Sequence, residues 1–260
     1  MNRTQEIKDG LRDLEAREDI KIIYAIESGS RAWGFESTDS DWDVRFIYVR
    51  NPKVYMSCIG KPRDTITLPI DDDLDFHGWD ITKTLSLFYS QNPCLMEWLQ
   101  SDIVYIEPNE AIKWLQDNLK SKFSPRAAIY HYIHMAQGHV DKYLSQDQVK
   151  MKRYMYAIRP LMCCRWIWEH NEPAPMNIED LYPVVSGDAG KAIRDLIEFK
   201  KSGVELGLVS KVGILDDYIS SELKFFSESV SKADDNRNMG LLKEELNGLM
   251  YRTLVNEINL

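Results

Sequence analysis

The sequence predicts an α+β protein in which a sheet with flanking helices comes first and an all-helical part follows. Two observations carry this. Every stretch that reads as a strand, short, apolar and bounded by turn residues, lies before Pro108. From Asn109 onward the apolar residues recur at helical spacing, interrupted at glycine, proline and polar runs. The chain divides accordingly into residues 1–107 and 108–260. No internal repeat or low-complexity tract cuts across that division.

Residues 4–19 read as an amphipathic helix with Ile7, Leu11 and Leu14 on one face, a cover for the sheet. A strand at 20–26 runs into the Gly29-Ser30 corner, and residues 31–35 form a short helical turn. The second strand, 44–49, ends at Asn51-Pro52. Two further strands are expected at 65–69 and 73–79, with Asp71, Asp72 and Asp73 in a solvated turn. A helix at 81–90 follows. Asn92-Pro93 has the form of an N-cap with proline at the first helical position, opening a short helix at 94–99. Residues 103–106 make an edge strand before Pro108.

The helical part starts with residues 111–122. A helix restarted by Ser124-Pro125 carries Ile129, Tyr132, Ile133 and Ala136 towards Tyr143. The next, 149–169, is the most aromatic and basic, and the stretch 171–175 breaks it. Helices at 192–201, 214–231 and 241–259 complete the chain, separated by Gly203, Gly207, Gly213 and the polar run 233–240.

Composition narrows the class. With 44% hydrophobic and 28% charged residues the chain reads as an ordinary soluble globular protein. It has no run of eighteen apolar residues and no signal-peptide start. Cys58, Cys94, Cys163 and Cys164 lack metal-ligand spacing and read as reduced thiols, so a cytoplasmic location is expected. The net charge of −9 makes the chain a poor general binder of nucleic acid. Polynucleotide contact would need a local basic patch, for which 150–165 is the candidate.

Chemistry concentrates between Ile22 and Val49. Ten residues separate Ser30 from Asp41. Asp41 and Asp43, two apart at the mouth of a strand, point to the same side with Cα atoms roughly 6.6 Å apart. Paired carboxylates are costly unless a cation sits between them, and hard divalent ions such as Mg²⁺ prefer such oxygen sites. Gly29 permits a sharp turn and close backbone approach, Ser30 adds a hydroxyl, and the free N–H groups of the following turn would face an anion. Arg31 and Arg45 flank the same place, and Arg31 suits phosphate. A phosphate cradle beside metal carboxylates is the layout for metal-assisted phosphoryl or nucleotidyl transfer. A calcium loop starting at Asp39 fails, because Val44 and Arg50 stand where that loop needs glycine and glutamate.

Gly29-Ser30, the ten-residue gap, Asp41-x-Asp43 and the apolar strand after it resemble the signature of the polymerase-β-type nucleotidyltransferase superfamily. The blocks GSRAWGFESTDSDWDVRFIYV, GWDITKTL, NPCLMEWLQSDIVY and KRYMYAIRPLMCCRWIW resemble, more narrowly, a nucleotidyltransferase family of bacteria and phages associated with RNA repair. The similarity spans roughly residues 20–170. The resemblance implies an N-terminal nucleotidyltransferase domain with a mixed sheet, and a helical domain after it. It implies transfer of NMP from an NTP to an acceptor hydroxyl with pyrophosphate release, dependent on Mg²⁺ or Mn²⁺. Asp41 and Asp43 would bind the metals, and a third acid would share one of them and activate the acceptor. Asp75, in the apolar-Asp-apolar run Leu74-Asp75-Phe76, fits that role best. Asp80 is the alternative, its plainer reading being a helix N-cap. Gly29, Ser30 and Arg31 would bind the nucleotide.

Lys152 and Arg159 could clamp the outer phosphates, since Lys152, Tyr156 and Arg159 lie near one helical face with Arg153 close by. The plainer reading is a solvated cationic face over a core of Tyr154, Ile158, Met162 and Trp166, with Pro160 kinking the helix. His131 and His134 lack a third ligand and read as surface or packing residues; His77 shares a strand face with Asp75. The acceptor is an RNA terminus by resemblance, while the acidic balance leaves a protein hydroxyl or a small molecule open. A non-catalytic nucleotide-binding module on the same fold is the rival, and a nuclease or phosphatase using the same metals a second one.

Overall fold

The computed structural model describes residues 2–60, 62–70, 73–203, 208–235 and 237–258. Contacts divide the chain into two compact units. The first comprises Met1–Ala32, Asp41–Lys122 and Arg237–Leu260, the second Trp33–Ser40 and Phe123–Asn236. The division read from the sequence at residue 107 falls inside the first unit.

The first unit is built on a five-stranded mixed sheet. Helix α1 (Arg3–Glu18), capped by Asn2, buries Ile7, Leu11 and Leu14 at helical spacing. Strand β1 (Ile20–Glu27) leads into the single turn α2 (Gly29–Ala32), and β2 (Trp42–Arg50) returns antiparallel to β1. The turn α3 (Pro52–Tyr55), β3 (Thr65–Thr67) and β4 (Leu74–Asp80) follow. Next come α4 (Ile81–Tyr89), α5 (Pro93–Trp98), β5 (Val104–Ile106) and α6 (Glu110–Asp117). The strand order is β3-β4-β2-β1-β5, and β2 with β4 is the parallel pair.

Alternation along β2 and β4 sorts their side chains. Val44, Phe46, Tyr48 and Phe76 pack with α1. Ile47, Val49 and Trp79 pack with α4, α5, α6 and the C-terminal helix Met239–Ile258, which contributes Leu242, Leu246 and Leu249. Asp43, Arg45, Asp75 and His77 share this second face by strand period. Gly78 stands opposite Phe46 in the register, and a methyl group on it would collide with the Phe46 ring.

The second unit is helical. Ser124 caps α7 (Pro125–Tyr143), with proline at its first turn. Strand β6 (Gln148–Lys150) precedes α8 (Lys152–His170), whose Tyr154, Ile158, Leu161, Met162, Cys163 and Cys164 are fully buried. A 3₁₀ stretch (Ile178–Val184), α9 (Gly187–Lys201), β7 (Leu208–Ser210) and α10 (Gly213–Ser229) complete it. Phe35, from the short segment 33–40, joins this core, and the Ile178 N–H donates to the Trp33 carbonyl at 2.9 Å.

The α+β class and the order of strands and helices agree with the sequence reading, with local differences. The helix expected from residue 149 starts at Lys152, because residues 148–150 form a strand paired with Leu208–Ser210, far away in the chain. Helix α9 begins at Gly187, earlier than the expected 192. Asp71, Asp72, Gly207 and Asn259 lie outside the described residues. Asp73 is described, with φ 69°, and pairs with Arg3. No helix among the described residues is long and apolar enough to cross a membrane.

Candidate active site

Glu27 ends β1 and anchors the site from below. Its carboxylate is fully buried, accepting from the Tyr105 hydroxyl at 2.6 Å and from the Asp43 backbone N–H at 2.9 Å. Its carbonyl accepts from the Ser101 hydroxyl at 2.7 Å, and the Ser28 N–H donates to the Asp43 carbonyl. The strand end that carries the corner is thereby tied to the strand start that carries the acids. Gly29 then turns with φ 62°, a conformation that favours glycine, and lies against the Asp43 side chain; any Cβ there would collide with its carboxylate.

Asp43 and Asp75 are partners in the parallel β2–β4 register, and Arg45 and His77 are partners two residues further on. The Arg45 Nη2 donates to Asp43 Oδ1 at 2.7 Å and to Asp75 Oδ2 at 2.8 Å, while its Nη1 donates to the Asp75 carbonyl at 2.9 Å. Burial raises the Asp43 pKa above the usual carboxylate range; Arg45 opposes this, and the charges of Asp75 and Asp41 add to it. Asp41 is exposed just before β2, within electrostatic reach of Asp43. Glu27 is pushed up to about 7, chiefly by burial.

A cation therefore already stands between Asp43 and Asp75, supplied by the chain itself. The gap is one that favours positive charge, and the donors around it are all oxygens, which suits Mg²⁺ or Mn²⁺. Among the described residues no three of His, Cys, Asp and Glu converge closely enough to hold one ion as they stand. An ion shared by the three aspartates would require Arg45 to release at least one of them.

The other residues singled out in the sequence fall in different places. The Arg31 guanidinium lies over the Trp42 ring at 3.9 Å, with its Nε 4.0 Å from Glu27. His77 contacts Thr67 through Nδ1 and accepts from the Trp79 indole through Nε2, with burial lowering its pKa. Asp80 is 1% exposed and caps α4, accepting from Thr82 N–H at 2.8 Å and from the Tyr55 hydroxyl at 2.8 Å. Five residues from Asp75 on one strand, it projects to the opposite face. Lys152 and Arg159 belong to the second unit. Lys152 is exposed at the start of α8, whereas Arg159 is 3% exposed, donates to the Met176 carbonyl and lies over Trp33. His131 and His134 sit on α7. Sequence reasoning passed over Glu27 and Tyr105. A lone acid closing an apolar strand directly before Ser28-Gly29 was the available signal for the first; nothing marked the second.

A mixed sheet that sets two acids in register against a glycine-serine corner is the arrangement of a polymerase-β-type nucleotidyltransferase. The chain belongs to the RNA repair pathway DNA polymerase beta family, whose model matches residues 4–252. It is 40% identical over 252 residues to the uncharacterized protein YcgL of Bacillus subtilis (strain 168), covering 96% of each chain. Among solved structures, a nucleotidyltransferase-like protein from Exiguobacterium sibiricum 255-15 aligns with 87% of this chain and 77% of its own, at 11% identity and a TM-score of 0.36. The family resemblance drawn from the motifs is borne out.

Proposed function

We propose that the site transfers a nucleoside monophosphate from a nucleoside triphosphate to an acceptor hydroxyl and releases pyrophosphate. The observation that supports this most is the pairing of Asp43 with Asp75, with Gly29 packed on the Asp43 carboxylate. In such a reaction the acceptor oxygen bonds to the α-phosphorus, its proton passes to a carboxylate, and the bond from the α-phosphorus to the pyrophosphate oxygen breaks. Asp41, Asp43 and Asp75 are the residues that would hold Mg²⁺ or Mn²⁺, which when bound favours ionisation of the acceptor and offsets phosphate charge. Asp75 is assigned to the acceptor proton. Ser30 and the Gly29 backbone are assigned to the triphosphate, with Arg31 adding positive charge. Asp80 is committed to capping α4, which supports Asp75 as the third acid. An RNA terminus as acceptor is supported by the family's association with RNA repair.

The test is incubation with each α-labelled NTP, Mg²⁺ and RNA oligonucleotides bearing a free 3′-hydroxyl. Label transfer with matching pyrophosphate release is expected, and Asp43→Asn or Asp75→Asn should lower it by at least about 10²-fold. Nucleotide binding without transfer to any acceptor would favour a regulatory module instead. Cleavage of the oligonucleotide without pyrophosphate release would point to a phosphodiesterase.

A further inference from the structure

Charge is distributed unevenly in this acidic chain. From Gln148 to Arg165 there are five cations and no carboxylate, in a protein with 41 acidic residues. Within the second unit Arg159 is buried, and Arg165 forks onto Glu222 at 2.6 and 3.0 Å. Lys150 and Lys152 are exposed, and Arg153 is half-buried with its guanidinium 3.8 Å over the Tyr143 ring. Lys142, from the end of α7, lies 5.0 Å from the same ring.

Rings are interleaved with these cations. Tyr143 stacks near His139, with centroids 4.6 Å apart, and His139 lies 5.3 Å from Tyr156, which is 44% exposed. The row continues to Trp33, edge-on to Tyr156 at 6.3 Å. Two groups register the local positive field. His139 is pushed down to about 4 by burial and then by Arg153 and Lys142, and Tyr143 is lowered first by the neighbouring Lys142 ammonium. The acids nearby are Asp141, which accepts from Gln137, the exposed Asp147, and Asp39, whose carboxyl is lowered by Ser37 and more weakly by Lys200 and Lys152.

We propose that Lys142, Tyr143, Lys150, Arg153 and Tyr156 form a surface that grips a single-stranded polynucleotide. Lysine and arginine neutralise successive phosphates, and half-exposed rings stack on unpaired bases irrespective of sequence. An acidic peptide would use the cations and leave the rings idle. The net charge of −9 repels a polyanion elsewhere, so attachment should concentrate here. The proposal gives the acceptor in the reading above its class, but it is measured without nucleotide or turnover. Failure of binding would leave the transfer chemistry standing, and failure of transfer would leave binding standing.

The experiment is fluorescence anisotropy with labelled twelve-nucleotide oligouridylate and oligothymidylate, at several salt concentrations between 50 and 200 mM. Lys142→Ala, Lys150→Ala and Arg153→Ala should each weaken binding, and each should lower the slope of log affinity against log salt by about 0.7. Tyr156→Ala should weaken binding about tenfold with the slope unchanged, as expected for lost stacking. Lys224→Ala, on exposed α10 surface of the same unit, is the control and should change nothing. A preference for one oligonucleotide identifies the source of the strand; equal binding supports the shared chemistry. No binding by the wild type, variants no weaker than the control, or duplex bound as tightly as single strand with Tyr156 dispensable would each overturn the proposal.

Discussion

Arg45 and Glu27 are the two residues on which the candidate site turns, and neither is among its three aspartates. Arg45 neutralises Asp43 and Asp75 through two charge-assisted hydrogen bonds. Replacing it by glutamine leaves two carboxylates facing each other. Arg45→Gln should therefore bind Mn²⁺ at least about tenfold tighter, ~1.4 kcal/mol, with a larger rise in Tm on adding the ion. Electron paramagnetic resonance titration of free Mn²⁺ checks this, and unchanged affinity would show that the arginine does not compete. Glu27 titrates differently folded and unfolded. Its pKa is about 7 in the folded protein against 4.5 as its ordinary value. The folded state binds the extra proton, so this contribution to stability is full below about 4.5 and is lost as pH rises through about 7. The wild type should lose Tm relative to Glu27→Gln between pH 5 and pH 7.5, by on the order of 5 °C. Parallel Tm curves for the two proteins would count against the assignment. The aspartates were legible in the sequence because spacing and strand period name them. Arg45 was seen only as a flanking cation, since the bridge depends on a strand partner thirty residues away.

Among the elements, the β2–β4 pair decides whether the acids meet. A slip of one residue would turn Asp75 to the opposite face, and a slip of two would set His77 or Asp73 beside Asp43. Phe46 against Gly78 opposes such slips, because the ring fills space that only glycine leaves open. Gly78→Ala should cost about 1–3 kcal/mol through overpacking, read from urea unfolding. It should also lower transfer more than a similarly destabilising change under α1 does, because it disturbs the pairing between the strand of Asp75 and the strand of Asp43. Equal effects of the two would separate register from catalysis. The strands themselves were visible as apolar runs between turn residues, and α4, α5 and α7 were announced by Asp80, Asn92-Pro93 and Ser124-Pro125. Pairing over a distance was not. Residues 149 and 150 continue the helical pattern that follows them, and they belong to a strand only because 208–210 lie alongside.

At the scale of the whole molecule, the two compact units do not follow chain order. The segment Trp33–Ser40 joins the two halves of the nucleotidyltransferase signature, yet it packs within the second unit, with Phe35 2% exposed in the helical core. Periodicity reports the kind of element, not which core it enters, so a boundary at residue 107 was the natural reading of where strands stop. The C-terminal helix shows the same thing from the other end. Its Leu242, Leu246 and Leu249 complete the core beneath α4 and α6, although more than a hundred residues of the second unit come between. During synthesis the corner and all three aspartates leave the ribosome early, while the hydrophobic layer that supports their sheet waits for Met239–Ile258. A nascent chain thus carries its reactive groups long before it owns a finished scaffold, and competence for nucleotide chemistry should arrive only with translation of the final helix.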